Sequence, residues 1–157
     1  MPHVTLTPAR LADAAEIAAL SRALIEDGLR WSWTPGRVAA SIRRPDALVV
    51  VARADGHVAG FAIMRYGDDD AHLDLLGVDR PFRRQGLGRR LVEWLEAAAL
   101  VAGITDVFLE ARASRPGTLA FYERLGYRRL GRVGGYYQGR EAAVRMGREL
   151  GTVVTLA

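Results

Sequence analysis

The chain has 157 residues, of which half are hydrophobic and a quarter are charged, and it contains no cysteine. This composition predicts a single globular domain over residues 1–157 and argues against a disordered chain. The lack of cysteine excludes disulfides, thiolate catalysis and cysteine metal sites. The net charge of +4 comes from arginines interspersed with acidic residues, a pattern that argues against a nucleic-acid partner.

The first part of the chain predicts one strand and two helices. Val4–Leu6 is predicted as a strand that Thr7-Pro8 closes, and apolar residues at helical spacing predict a helix over Ala9–Ile25. Thr34-Pro35 is typical of an N-cap followed by proline in the first helical turn, so a second helix should run from there to about Arg43. The aromatic-rich segment between the two helices is predicted as a loop.

Three strands are then predicted in series, joined by tight turns: Ala47–Arg53, Val58–Tyr66 and His72–Val78. A strongly amphipathic helix follows over Leu87–Ala102, with acidic residues such as Glu96 placed outside an apolar stripe formed by Leu87, Leu91, Leu95, Ala98 and Ala102. The rest of the chain predicts three strands and one helix: Asp106–Ala111, the helix Gly117–Leu125, Tyr127–Val133 and Ala142–Leu150. The order β-α-α-β-β-β-α-β-α-β-β predicts an α/β or α+β layered domain.

Several classes of protein are disfavoured by what the sequence lacks. No apolar run approaches the roughly 18 residues of a membrane span, and Met1–Val4 does not begin a signal peptide. We therefore expect a cytoplasmic protein without a membrane partner. The histidines are scattered, so no metal site is expected. The sequence leaves the oligomeric state open between a monomer and a homodimer.

The turn before the long helix carries the spacing R-x-x-G-x-G, in Arg83-Arg84-Gln85-Gly86-Leu87-Gly88. Glycines allow a tight turn with close backbone approach to a ligand, and the first N–H groups of a helix attract anions. Arg83, Arg84 or Arg89 could add positive charge. The motif predicts either a pyrophosphate site or an ordinary strand-to-helix turn with surface arginines, and it is neither a dinucleotide-binding fingerprint nor a P-loop.

Two side chains are candidates for acid–base chemistry. Glu110 ends the apolar run Val107–Leu109, as either a rim charge paired with an arginine or a cleft carboxylate with a raised pKa. Tyr122 lies on an amphipathic helix, where an aromatic residue is either part of the core or an acid.

Three segments together resemble the GCN5-related N-acetyltransferase (GNAT) family: Gly77–Gly88, Leu109–Ser114 and Phe121–Tyr127. The stretch Gly135–Ala142 is similar to the RimI-like branch, the ribosomal-protein-alanine N-acetyltransferases. The resemblance implies the acyl-CoA acyltransferase fold, with a mixed central sheet of about seven strands and about four flanking helices. It also implies acetyl-CoA as co-substrate and no metal.

The resemblance further implies roles for individual residues. Leu76, Gly77 and Val78 match the strand that pairs with the pantetheine arm, and Arg84–Arg89 (Arg84, Gln85, Gly86, Leu87, Gly88 and Arg89) match the pyrophosphate loop. Glu110 matches the general base and Tyr122 the general acid. Tyr136 and Tyr137 match a tyrosine pair that lines the acceptor groove.

The chain departs from the family pattern at three places. Arg115 stands where the family has an asparagine that contacts the cofactor, and Ala111 stands where it has a valine. Arg140 is inserted in the segment that follows the tyrosine pair, which also lacks the family's aspartate. The acceptor site is also open to two interpretations, because Trp31 and Trp33 either line it or pack in the core. Asp27 and Asp68–Asp70 either attract a basic N-terminus or form solvated loops.

The predicted function is acetyl transfer from acetyl-CoA to a primary amine, in particular the α-amine of a protein N-terminus. Acetylation of a small-molecule amine and a non-catalytic acyl-CoA-binding module are the alternatives. The chemistry is consistent with the residues, because a neutral amine can attack the thioester directly and needs no cysteine.

Overall fold

The structure, a computed structural model, describes residues 3–151; Met1 and Pro2, on which the expectation of no signal peptide partly rests, lie outside the described residues. Residues 3–151 contain seven strands and four α-helices in the predicted order. Their bounds are β1 (Thr5–Pro8), α1 (Ala14–Leu24), α2 (Pro35–Arg43), β2 (Ala47–Ala54), β3 (His57–Tyr66), β4 (Asp70–Val78), α3 (Leu87–Val101), β5 (Asp106–Arg112), α4 (Pro116–Arg124), β6 (Arg128–Tyr137) and β7 (Glu141–Glu149).

The strands form one mixed sheet in the order β1-β2-β3-β4-β5-β7-β6. β4 and β5 are parallel, with His72 opposite Phe108, whereas β5 and β7 are antiparallel, with Glu110 opposite Arg145. The predicted mixed seven-stranded sheet with four helices is therefore confirmed. No helix within the described residues is long and apolar enough to cross a membrane.

The chain divides into two compact units, Met1–Arg65 with Asp74–Leu95 and Tyr66–Leu73 with Glu96–Ala157. In the first unit, α1 and α2 pack on one face of the strands around a core that includes Ile17, Val38 and Phe61. On the other face, Gly60 lies against Leu87 and Leu91 of α3, because a Cβ at Gly60 would come within 3.2 Å of Leu91 Cδ1.

The second unit has its core between β5, β7 and α4. Leu109 and Met146 are almost fully buried, as is Tyr127, which follows α4. Glu96 is also buried, and its carboxylate accepts hydrogen bonds from the Tyr127 hydroxyl at 2.9 Å and from Arg148 Nη1 at 2.7 Å. A buried charge is tolerated where such partners compensate the lost hydration.

Two predicted boundaries near the N-terminus are wrong. Thr7-Pro8 does not close the first strand but continues it, opposite Val51 and Val50 of β2. β1 lies at the edge of the sheet, where proline is tolerated because one side needs no ladder. The first helix begins at Ala14, not Ala9, because the Asp13 carboxylate accepts the Arg10 N–H at 2.7 Å and a short 3₁₀ turn precedes the helix.

The predicted apolar stripe of α3 is correct only in its first half. Leu87, Leu91 and Leu95 are buried, but Ala98 is half-buried and Ala102 is exposed, past the end of the helix. Glu96, predicted outside the stripe, is buried instead. Its hydrogen bonds come from residues far along the chain, so helical spacing alone could not place it.

Candidate active site

The loop that leads into α3 contains two residues in the left-handed backbone region, Arg84 with φ 62° and Gly86 with φ 75°. The 15-residue helix α3 begins at Leu87, and the Gly86 carbonyl accepts the Arg90 N–H at 3.1 Å. The first N–H groups of a helix lack partners within it and lie at the positive end of its dipole. This geometry suits an anionic group such as a pyrophosphate.

Two of the predicted pyrophosphate ligands stabilise this loop. Arg83 Nε donates a hydrogen bond to the Val78 carbonyl at 3.1 Å, and Gln85 Nε2 donates to the Pro81 carbonyl at 3.3 Å. Arg84 and Arg89 are exposed, the latter 3.6 Å from Glu93. The loop therefore presents backbone N–H groups and Arg84 to solvent, while Arg83 and Gln85 fix its shape.

The predicted pantetheine segment Leu76–Val78 forms the end of β4. Its parallel ladder with β5 ends earlier, at Leu73 and Leu109. Gly77 is buried, and a Cβ there would lie 2.7 Å from Phe61 Cε1, so only glycine fits. Leu76 and Val78 are half-buried on the opposite side of the strand.

The loop between α1 and α2 is organised by the buried carboxylate of Glu26. Its Oε1 accepts the backbone N–H of Ser32 at 2.7 Å and of Trp33 at 3.2 Å, and its Oε2 accepts the Ser21 hydroxyl at 2.8 Å. Trp31 and Trp33 are half-buried and pack against the core of the first unit. Core packing is thus part of their role, and lining an acceptor site stays a prediction.

Cationic side chains cover both tryptophan rings. The Arg37 guanidinium lies 3.8 Å from the Trp33 ring centroid and that of Arg22 lies 5.0 Å from Trp31. The acidic residues that were predicted either to attract a basic N-terminus or to be solvated, Asp27 and Asp68–Asp70, are exposed, and Asp70 is the first residue of β4. Their exposure agrees with solvated side chains, and attraction of a basic N-terminus stays a prediction.

In the second unit, Glu110 projects from the face of β5 opposite to the buried Leu109. Its side chain is only 8% exposed, and it contacts one residue on each neighbouring strand. On β4, the Nε2 of His72 lies in close hydrogen-bond contact with Glu110 Oε2. On β7, Arg145 Nε donates to Glu110 Oε1 at 3.2 Å.

These contacts decide between the two interpretations of Glu110. The hydrogen bond with His72 lowers the pKa of the Glu110 carboxyl, with help from Arg145 and against the effect of burial. Of the two interpretations, the lowered pKa favours the paired carboxylate over the carboxylate with a raised pKa. Because it is shielded and ionised, it can orient and stabilise a neighbouring cation.

Tyr137 lies near this carboxylate, and two further tyrosines lie near Tyr137. Tyr122 of α4 is buried, and burial together with the neighbouring Tyr137 raises the pKa of its phenol. Burial also raises the pKa of Tyr137, with contributions from Tyr136 and Glu110. Tyr136 is 43% exposed and meets Tyr137 edge to face at 4.9 Å. A phenol with a raised pKa remains protonated, as a proton donor must.

The turn between β5 and α4 is held by Glu141 of β7. Its carboxylate accepts hydrogen bonds from Arg112 Nε at 2.8 Å, from the Ser114 N–H at 3.0 Å and from the Ser114 hydroxyl. Arg115, the predicted cofactor contact, occupies the N-cap position of α4 and makes no side-chain capping hydrogen bond. Pro116 follows it in the first turn.

The sequence did not single out His72, Arg145 or Glu26 as parts of the site. His72 and Arg145 lie 38 and 35 residues from Glu110 along the chain, so no short motif contains any two of them. Alternation in the strand around His72 indicates its face, but the pairing partner follows only from the strand order. For Glu26 the sequence gave no indication at all, because a glutamate before a tryptophan-rich loop does not show that it holds that loop.

Comparison with known proteins gives the family context of this geometry. Residues 16–127 match the acetyltransferase (GNAT) family model. The chain is 40% identical over 96 residues to the [ribosomal protein bS18]-alanine N-acetyltransferase of Salmonella typhimurium, covering 59% of this chain and 65% of that protein. It is 32% identical over 111 residues to the N-alpha-acetyltransferase RimI of Mycobacterium tuberculosis, covering 68% of each.

A solved structure extends the similarity over the whole chain. The ribosomal-protein-S18-alanine N-acetyltransferase from Escherichia coli superposes with a TM-score of 0.81 at 28% identity, covering 99% of both chains. The sequence alignment with the Salmonella relative is shorter and spans slightly less than two thirds of that relative's length.

Proposed function

The chain belongs to the acetyltransferase (GNAT) family, and we propose that it transfers the acetyl group of acetyl-CoA to the α-amine at a protein N-terminus. The observation that carries this proposal is the similarity to ribosomal-protein alanine N-acetyltransferases, at 40% identity in sequence and over 99% of the chain in structure. The family match crosses both compact units, which supports a single catalytic domain.

We assign acetyl-CoA to the first unit, and the geometry of the loop before α3 supports this assignment. The pyrophosphate binds at the N-terminus of α3, with the backbone of Gly86–Gly88 and the guanidinium of Arg84 as ligands. Arg83 and Gln85 support the loop through their hydrogen bonds to Val78 and Pro81. The pantetheine arm pairs with Leu76–Val78, and backbone N–H groups there stabilise the developing oxyanion.

An α-amine is a more reactive acceptor at neutral pH than a lysine side chain, because its ammonium form has a lower pKa. An α-ammonium has a pKa near ~8, so roughly a tenth is neutral at pH 7, whereas a lysine side chain near ~10.4 is almost wholly protonated. The neutral amine attacks the thioester carbonyl, the C–N bond forms and the C–S bond breaks. The site around Glu110 removes the amine proton, and Tyr122 protonates the leaving thiolate.

The acceptor is bound by aromatic side chains, with Tyr136 and Tyr137 on β6 and Trp31 and Trp33 on the α1–α2 loop as the candidates. We place the protein in the cytoplasm, where both acetyl-CoA and new protein N-termini are present.

The test uses the purified full-length protein with acetyl-CoA, and mass spectrometry locates the product on each acceptor. The panel contains a peptide beginning with alanine, the same peptide with a blocked N-terminus and an internal lysine, and small amines such as spermidine. We expect acetylation at the free N-terminus. Exclusive turnover of a small amine would overturn the proposed acceptor. CoA binding without any transfer would overturn the proposed activity.

Two variants test the assigned residues. Glu110→Gln and Tyr122→Phe should each lower kcat by about 10²-fold, because each removes a proton-transfer group or its partner. Calorimetry should show unchanged CoA affinity, and Glu93→Gln on the exposed face of α3 is the matched control. A variant with full activity would remove that residue from the mechanism.

A further inference from the structure

A buried series of four side chains in the second unit ends at Tyr122, the general acid of the proposed function. Arg148 Nη1 of β7 donates to the Glu96 carboxylate of α3 at 2.7 Å, and the Tyr127 hydroxyl donates to the other oxygen of that carboxylate at 2.9 Å. The ring of Tyr127 meets that of Tyr122 edge to face, with the centroids 5.7 Å apart. Tyr122, Tyr127 and Glu96 are each at most 7% exposed, so little water reaches these contacts.

The turn after α4 sets the spacing of the two rings. The Tyr127 N–H donates to the Tyr122 carbonyl at 3.0 Å, and Gly126 between them along the chain has φ 96°, which glycine adopts without strain. A Cβ at Gly126 would also lie 3.2 Å from Arg148 Nε, so the turn lies against the guanidinium that holds Glu96. Backbone and side chains together therefore fix Tyr127 beside Tyr122.

The orientation of the Tyr122 ring has to come from packing. A proton donor must leave its hydroxyl free to face the leaving thiolate, so that hydroxyl cannot also be the group that anchors the ring. Tyr122 meets the half-buried ring of Phe121 at 5.1 Å and the buried ring of Tyr127 at 5.7 Å. Only the Tyr127 ring is tied at its far end to a buried charge, through its hydrogen bond to Glu96.

The hydrogen bond between Tyr127 and Glu96 is well suited to act as a fixed anchor. Burial raises the pKa of the Tyr127 phenol, and the Glu96 carboxylate raises that pKa further, so the hydroxyl keeps its proton and remains a donor. Arg148 pairs with the second oxygen of the carboxylate and compensates its charge. A satisfied network of this kind restricts the positions of its members.

We propose that Glu96 and Tyr127 are positioning residues for acetyl transfer: the carboxylate fixes the Tyr127 ring, and that ring directs the phenol of Tyr122 towards the leaving thiolate. The inference rests on the proposed function. As the C–S bond breaks, the Tyr122 O–H gives its proton to the sulfur, and the phenolate later regains a proton from solvent. Glu96 and Tyr127 neither touch the substrates nor exchange a proton, and they act only through Tyr122.

The first test removes the Tyr127 hydroxyl and keeps the ring, in Tyr127→Phe. With acetyl-CoA and the alanine peptide, kcat should fall about 10-fold while KM for both substrates stays unchanged, because only the orientation of the acid is lost. The double variant Tyr122→Phe/Tyr127→Phe should have the same kcat as Tyr122→Phe alone, since no acid is left to position. An unchanged kcat in Tyr127→Phe, or an equal loss in both backgrounds, would overturn the proposal.

Tyr66→Phe is the matched control for the loss of a buried hydroxyl. Tyr66 ends β3 and lies in the same unit, and its buried hydroxyl has no hydrogen-bond partner among residues 3–151. The substitution makes the same chemical change as Tyr127→Phe without removing a hydrogen bond. It should therefore keep the wild-type kcat.

Two substitutions at Glu96 test the carboxylate itself. The amide oxygen in Glu96→Gln still accepts a hydrogen bond from Tyr127, whereas Glu96→Ala offers no acceptor. The value of kcat per folded molecule, with the folded fraction measured by circular dichroism, should be higher in Glu96→Gln than in Glu96→Ala. Equal values would mean that this hydrogen bond does not position the acid, against the proposal.

A further measurement needs no turnover and follows the Tyr122 ring directly. The chain has five tyrosines, so fluorotyrosine labelling gives five fluorine NMR resonances, and Tyr122→Phe identifies the one from Tyr122. Tyr127→Phe should broaden or split that resonance, and Tyr66→Phe should leave it single and narrow. A single, narrow Tyr122 resonance in Tyr127→Phe would show that the ring is held without the Tyr127 hydroxyl, and the proposal would be lost.

These experiments separate the inference from the proposed function. A wild-type protein that acetylates no amine would overturn the proposed function, and full activity of Tyr122→Phe would remove Tyr122 from the mechanism. In both cases the fluorine resonance would still decide whether Tyr127 holds the Tyr122 ring. An active wild type in which the two substitutions act additively would overturn only the positioning role.

Discussion

Replacing Glu141 by glutamine should destabilise the protein by an amount that depends on pH. Burial alone would raise the pKa of Glu141, but the hydroxyl and N–H of Ser114 and the guanidinium of Arg112 outweigh it and lower the pKa to about 2. A carboxyl that is more acidic in the folded state stabilises that state when ionised. Through Arg112 and Ser114, Glu141 joins β7 to the turn before α4.

The size of the effect follows from the difference between the ordinary pKa of 4.5 and about 2. Without solvent screening, this difference in pKa corresponds to about 3.4 kcal/mol of unfolding free energy at pH 7. Solvent screening near the protein surface reduces it to about 1–2 kcal/mol. The stabilisation is fully present above the unfolded pKa and is lost as the pH falls from about 5 towards 2, because the folded carboxyl then becomes protonated.

Urea denaturation of wild type and Glu141→Gln at several pH values between 3 and 7 measures this. The difference in unfolding free energy should be largest at pH 6–7 and should shrink towards pH 3. Glu93→Gln serves as control, since its side chain is 57% exposed and its ion pair with Arg89 should contribute less than about 0.5 kcal/mol. A difference that is absent at pH 7, or constant with pH, would refute the assignment of the Glu141 contacts.

Two further substitutions test the ends of helices and loops near the site. Arg115→Asn should stabilise the protein by about 0.5–1 kcal/mol in urea denaturation, because asparagine can cap α4 where arginine does not; an unchanged or lower stability would contradict this. Glu26→Gln should cost about 1.5–3 kcal/mol, because an amide must replace the carboxylate that accepts hydrogen bonds from Ser32 and Trp33. It should raise KM for the peptide and leave CoA affinity unchanged, whereas an equal loss of both would argue against a role specific to the acceptor loop.

Elements whose signals lie within a few consecutive residues could be predicted from the sequence. Thr34 accepts the Arg37 N–H as the predicted N-cap of α2, and Gly103 and Gly126 follow α3 and α4 with φ of 85° and 96°. The loop before α3 belongs to the same class, because two glycines and the start of a helix specify its geometry. Such features depend on backbone conformation and need no information about distant residues.

Features that depend on distant contacts could not be predicted in the same way. Glu96 has helical neighbours that suggest an exposed position, yet Tyr127 and Arg148, 31 and 52 residues away, supply the hydrogen bonds that bury it. The β6 strand likewise extends to Tyr137, beyond the predicted end at Val133, through an irregular pairing with β7. Tertiary pairing decides both outcomes, and it overrides the local pattern.

The environment of Glu110 shows why recognising a candidate catalytic residue does not specify its acidity. The run Val107–Ala111 identifies the carboxylate, but its acidity depends on which residue of β4 and which residue of β7 lie beside it. A shift of β4 by one residue relative to β5 would turn His72 to the opposite face and leave a carboxylate with only Arg145 as partner. The acidity of Glu110 is therefore set by strand register, and a substitution at His72 can change it without altering any of the recognised motifs.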